Sequence, residues 1–161
     1  MTRFDELFRV LGEGAVEFIV IGGVAAAANG SARSTQDLDI LYNRQDENLR
    51  AMVRALAPHH PYLRGAPPGL PFRFDFETLR AGLNFTLTTD LGAIDLLGEV
   101  AGGGRYEDVL PHSTEMQLFG RACRVADVEA LIRMKKAAGR PKDLEVLAEL
   151  ELIRDRQRKS R

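Results

Sequence analysis

The chain has one cysteine, Cys123, no tryptophan and only 7% aromatic residues. A single cysteine excludes an internal disulfide and a cysteine-based zinc cage, which suits the cytoplasm. An excess of either charge is also missing: 22 Lys and Arg face 23 Asp and Glu, for a formal net charge of −1. Without a global basic field, any contact with RNA has to be made by a local patch. No apolar run approaches the roughly 20 residues that cross a bilayer. The opening Met1-Thr2-Arg3-Phe4-Asp5 does not read as a signal peptide, so a cytoplasmic protein with no membrane contact is expected. What is present is 161 residues with 45% hydrophobic and 28% charged content. That describes one globular domain, large enough to bury a core.

The chemistry concentrates in residues 18–41, FIVIGGVAAAANGSARSTQDLDIL. The β-branched run Phe18-Ile19-Val20-Ile21 predicts a buried strand. Gly22–Gly23 follow, then a small-residue helical turn closed by Asn29–Gly30. A polar turn, residues 31–36, leads into a second strand, Asp37-Leu38-Asp39-Ile40-Leu41. Residues two apart on a strand leave the same face, with alpha carbons roughly 6.5 Å apart. Asp37 and Asp39 therefore share one face, while Leu38 and Ile40 point into a core. Aspartate is depleted in strands, and two like charges on one face repel unless a cation intervenes. A hard divalent cation, Mg²⁺ or Mn²⁺, is the natural partner, because it takes carboxylate oxygens together with substrate phosphates. Gly22 and Gly23 open the helix beside them, where backbone N–H groups can approach an anion. A phosphate seat beside a metal seat is the apparatus of phosphoryl or nucleotidyl transfer.

The motif Ile21-Gly22-Gly23, a thirteen-residue spacer and Asp37-Leu38-Asp39-Ile40 resembles the signature of the DNA polymerase β-like nucleotidyltransferase superfamily. The third carboxylate of that superfamily lies on a later strand between apolar residues, and Ile94-Asp95-Leu96 matches it. The look-alikes are small stand-alone nucleotidyltransferases, including toxins of toxin–antitoxin and abortive-infection systems. They carry a Met-Lys and a downstream Arg-x-Lys-Asp, matched by Met134-Lys135 and Arg140-Pro141-Lys142-Asp143. The resemblance implies a fold of the α/β (α+β) class, with a mixed sheet, flanking helices and a C-terminal helical pair. It implies Asp37, Asp39 and Asp95 as metal ligands and catalytic residues. Gly22, Gly23, Arg33, Lys135 and Asp143 become nucleotide-binding candidates, with Lys135 offsetting triphosphate charge. Relatives often carry a second acid three residues beyond Asp143, where this chain has Val146.

Elsewhere the periodicity is structural. Phe4, Leu7, Phe8 and Leu11 predict an amphipathic helix over residues 3–12, and Leu49, Met52, Val53 and Leu56 another over 45–57. The alternation of strands and helices argues for a sheet with helices on one side. Residues 58–71 hold five prolines and two glycines and predict an irregular loop. His59 and His60, adjacent in that loop, share no face and predict a solvated or locally bonded pair, and Arg64 and Arg73 could reach a polyanion from it. Phe74 to Leu79 alternates loosely. Residues 84–89 and 93–97 predict a hairpin, with Asp95 facing out beside Ala93 and Leu97. Gly102-Gly103-Gly104 lacks the Lys-Ser/Thr of a phosphate loop and predicts flexibility, and residues 108–113 predict a turn. Residues 116–119 and 122–125 predict a second hairpin that makes Cys123 a small core residue. Asp127 predicts a helix N-cap, with Val128, Leu131, Ile132 and Lys135 on one face. A lysine in an apolar stripe needs a partner or a long snorkelling stem. Pro141 suits the start of a last helix, with residues 144–153 in it and 154–161 a frayed basic tail.

The expected domain is single, with a core over about 14–126 and C-terminal helices over about 127–158. The expected function is metal-dependent transfer of an NMP from an NTP to a hydroxyl of tRNA or other RNA, protein or a small molecule, with an antitoxin as a further partner. One alternative is a nucleotide-binding or partner-binding module that keeps the fold without turnover. The other is a haloacid-dehalogenase-like phosphatase, ranked last because it leaves Gly22–Gly23 unexplained.

Overall fold

All four residues of strand β1, Phe18–Ile21, are buried. An apolar, β-branched run is stable in a sheet interior because it has partners on both edges and both faces. The computed structural model describes residues 1–160 and places β1 in one mixed sheet. The other strands are β2 (Asp37–Tyr42), β3 (Tyr62–Leu63), β4 (Asn84–Thr89), β5 (Gly92–Leu97), β6 (Ser113–Leu118) and β7 (Arg121–Ala126). The sheet order is β3-β4-β5-β2-β1-β7-β6. β2 runs parallel to β5 and β1 parallel to β7, and the other neighbours are antiparallel. The Asp-bearing strand is therefore central, with paired strands on either side.

Helix α1 (Phe4–Glu13) passes through Gly12, one residue beyond the expected stop. Its Phe8 ring lies 6.4 Å from that of Phe18. Phe18, Val20, Leu38, Ile40 and Tyr42 share a sheet face by strand alternation, so α1 covers that face together with α3 (Asp46–Leu56). The opposite face carries Ile21, Asp39 and Leu97, which border a cavity shared with α2 (Gly22–Ala28), α6 (Val128–Ala138) and α7 (Pro141–Lys159). Helices thus flank both faces, which corrects the expectation of a one-sided arrangement. The Asp face has its own helical wall because α6 and α7 pack on each other and α2 packs on α6.

Several local expectations are also corrected. The loose alternation around Phe74–Leu79 belongs to helix α4 (Phe76–Ala81). Asp75 caps it by accepting from the Thr78 N–H at 2.9 Å, and a good cap outweighs weak alternation. The proline-rich segment holds a 3₁₀ turn at Ala57–His59 and the short strand β3, which pairs with β4. The expected turn at 108–113 is helix α5 (Tyr106–Val109) and a 3₁₀ turn, Leu110–His112. The basic tail continues α7 to Lys159, with Arg158 paired to Glu129 at 2.9 Å; the last residue of the expected tail, Arg161, lies outside the described residues.

The junction below β1 and β2 is tied by Asn48 of α3, which is buried. Its Oδ1 accepts from the Glu17 N–H at 2.7 Å. Its Nδ2 donates to the Glu17 carbonyl at 2.9 Å and the Asn43 carbonyl at 2.8 Å. One amide thus fixes the entry to β1 and the exit from β2, which sets the register that positions the acids.

Candidate active site

Strand pairing brings the acids together. In the β2–β5 ladder Asp39 lies directly opposite Asp95, and Asp37 opposite Ala93. Asp37, Asp39 and Asp95 therefore leave the same face of neighbouring strands, as alternation in each strand requires. Residues 56 positions apart in sequence meet because β5 is laid parallel to β2, in contact with it.

Two glycines make room for site side chains, Gly22 for Asp39 and Gly23 for Thr35. Gly22 has φ +66°, a left-handed conformation that a side chain disfavours. A Cβ built there would sit 2.1 Å from Asp39 Oδ2. A Cβ on Gly23 would lie 2.7 Å from the Thr35 side chain. The sequence does not anticipate this role: besides lining a cavity, Gly22 lets a carboxylate press against the turn.

Asp39 is half-buried, and its Oδ1 has no hydrogen-bond partner. Burial first, and then the adjacent Asp95 carboxylate, push its pKa up to about 7. Asp37 raises it further, and Lys135 opposes the rise. The carboxyl thus sits where positive charge is in deficit.

Arg64, at the end of β3, partly fills that deficit. Its Nη2 lies 2.8 Å from Asp95 Oδ1 and its Nη1 3.3 Å from Asp37 Oδ2. Nη2 also donates to the Leu87 carbonyl at 2.6 Å. The sequence pointed to Arg64 only as a residue able to reach a polyanion. The signal that would have placed it is Tyr62-Leu63, a two-residue β pattern hidden among prolines. Arg73 makes no ion pair among the described residues. His60 is locally bonded, with Nδ1 2.6 Å from Asp90 Oδ2.

A cavity of about 290 Å³ opens beside Asp39. Gly22, Gly23, Arg33 and Lys135 line it, joined by Ser34 and Thr35, which sequence reasoning missed. Its remaining wall is largely apolar, including Leu97, Leu131, Met134 and Leu150. Arg33 is drawn toward α7 by Glu149 at 3.5 Å and Glu145 at 3.6 Å. Glu149 also accepts from Ser31 Oγ at 2.6 Å and the Ala32 N–H at 3.2 Å, which fixes the turn before β2.

Lys135 finds its partner in Asp143, at 3.3 Å. Asp143 is buried and does not line the cavity; it stands behind Lys135 and Arg140. Arg140 Nε lies 2.9 Å from its Oδ2, and the Arg140 N–H donates to it at 3.1 Å. The Arg140 guanidinium first, and then Lys135, hold the Asp143 pKa down, at about 2. The Asp143 side chain therefore holds two cationic side chains at the cavity wall. Cys123 is only partly buried in β7, and burial pushes its thiol up to about 11, so it is no thiolate nucleophile.

Among the described residues, no three His, Cys, Asp or Glu side chains are gathered closely enough to hold a metal ion as they stand. The donor chemistry nevertheless fits one. Three carboxylates on one face are hard oxygen donors, and the orphaned Asp39 Oδ1 is a buried acceptor without a hydrogen-bond partner.

No protein-family profile matches the chain, and no curated protein matches it significantly. Among solved structures it resembles that of a candidate nucleotidyltransferase from Thermotoga maritima. The TM-score is 0.57 at 16% sequence identity, over 92% of this chain and 94% of that one. The fold is thus nucleotidyltransferase-like.

Proposed function

We propose that the chain is a metal-dependent nucleotidyltransferase that moves an NMP from an NTP to a hydroxyl acceptor. The observation that carries this reading is Asp39 facing Asp95, with Asp37 on the same face, beside a glycine-lined cavity that also holds Lys135. Mg²⁺ or Mn²⁺ held by Asp37, Asp39 and Asp95 would neutralise charge on the transferring phosphate. Gly22, Gly23 and Arg33 would seat the triphosphate, and Lys135 would offset its charge. Asp143 would act through Lys135 and Arg140 by orienting them. Asp95 would accept the proton of the attacking hydroxyl as it adds to the α-phosphorus and pyrophosphate departs. The acceptor would be tRNA or other RNA, a protein or a small molecule, and the physiological setting a toxin held in check by an antitoxin.

The test uses NTPs labelled at the α- or γ-phosphorus with pools of RNA, protein and small hydroxyl acceptors. The α-label alone is expected on the acceptor, with Asp37→Asn and Asp39→Asn inactive. Undiminished transfer by either variant would refute the assignment. Toxicity on expression, relieved by a neighbouring open reading frame, would support the toxin setting. Arg64 holding two of the acids favours a second reading, a nucleotide-binding module without turnover. Nucleotide binding without pyrophosphate release under any acceptor would favour that module.

A further inference from the structure

Arg64 occupies an odd position for a residue of an irregular segment. Its backbone is fixed, because its N–H donates to the Thr86 carbonyl at 3.0 Å. From that edge its side chain reaches past β4 to Asp95 on β5 and Asp37 on β2. Among the described residues it is the only basic side chain ion-paired to either acid. The fit is incomplete: Arg64 Nε is buried without an acceptor, and Asp39 Oδ1 is buried without a donor. One guanidinium charge also serves two carboxylates and leaves the third, Asp39, outside its ion pairs.

We propose that Arg64 is a built-in counter-ion that competes with the divalent cation for Asp37 and Asp95. It holds the acids in the metal-free protein and swings away when the cation binds. This rests on the nucleotidyltransferase reading and adds a residue that the motif resemblance does not contain. The oxygens engaged by Arg64, Asp37 Oδ2 and Asp95 Oδ1, belong to the acids that the cation needs. Two positive partners for one anionic pair exclude each other, so the guanidinium weakens the pair's affinity for the cation, and its removal strengthens it. Because the backbone is pinned, release needs only rotation about side-chain bonds, which is fast.

The experiment is calorimetric titration of the full chain with Mn²⁺ alone, comparing wild type, Arg64→Gln and Arg64→Lys, with Asp39→Asn in each background as the site control. Arg64→Gln is expected to bind Mn²⁺ between about five- and 150-fold more tightly than wild type, with Arg64→Lys between them. Asp39→Asn is expected to abolish binding in every background. Thermal melting guards against misfolding: Arg64→Gln should melt lower than wild type without metal and gain more on adding Mn²⁺. Wild type and Arg64→Gln binding equally, or Arg64→Gln binding more weakly, would overturn the competition and leave the nucleotidyltransferase reading standing. Failure of every variant to bind Mn²⁺, with or without NTP, would overturn both.

Discussion

Replacing Asp39 by Asn should stabilise the metal-free protein while removing the proposed activity. The ordinary carboxyl value of 3.8 is raised to about 7 by burial and by Asp95. At about 1.36 kcal/mol per pH unit, that distance amounts to about 4 kcal/mol. The folded protein holds this proton more tightly than the unfolded chain. The Asp39 contribution to wild-type stability therefore falls as pH rises from about 4 to about 7 and is lowest above 7. The amide removes the charge but keeps a buried polar group without full partners. About half of the difference, about 2 kcal/mol, is the expected gain at pH 8. For a domain of this size that is about 4–8 °C in Tm. The assay is thermal unfolding in EDTA at pH 8 and pH 4. The gain should be present at pH 8 and mostly gone at pH 4, where wild-type Asp39 is protonated in the folded state and partly so in the unfolded chain. A loss of stability at pH 8, or an equal gain at both pH values, would show that Asp39 carries no electrostatic strain.

Gly22→Ala should lose about 1–2 kcal/mol from the left-handed backbone alone, and more from the clash with Asp39, readable as a lower urea midpoint together with lost transfer. Asn48→Ala should lose about 1–3 kcal/mol in the same urea titration, because buried groups of Glu17 and Asn43 lose their partner. Asp143→Asn should raise the KM for NTP by loosening Lys135 and Arg140, with substrate-saturation kinetics as the check. Its depressed pKa adds that the Asp143 contribution, full above about 4, is lost as pH falls toward about 2, which acid unfolding of wild type and variant compares.

The acids were legible in the sequence because strand alternation is a local rule. Asp39 and Asp95 each sit between apolar neighbours and Asp37 lies two residues before Asp39, so period two assigns their face without knowledge of the partner strand. Lys135 was legible for the same reason, as a charge inside a helical apolar stripe. Arg64 was not legible, because its position depends on a two-residue edge strand inside a segment of prolines and glycines. Gly22 was read as an anion contact, while its space for Asp39 depends on β1 pairing with β2, Ile21 opposite Asp39. The two-sided helix arrangement was hidden too, because it depends on where α6 and α7 pack and not on their own periodicity. The continuation of α7 through the basic tail is held by Arg158 and Glu129, a long-range pair.

The central claim is that carboxylates from β2 and β5 converge on one cation beside the glycine-lined cavity. Its most direct test is a crystal structure with Mn²⁺ and a non-hydrolysable NTP analogue, read by anomalous scattering. The expected result is a peak bonded to oxygens of Asp37, Asp39 and Asp95, with Arg64 off Asp37 and the triphosphate against Gly22 and Gly23. Mn²⁺ bound elsewhere, or an analogue seated in the cavity while Arg64 still bridges Asp37 and Asp95, would contradict it.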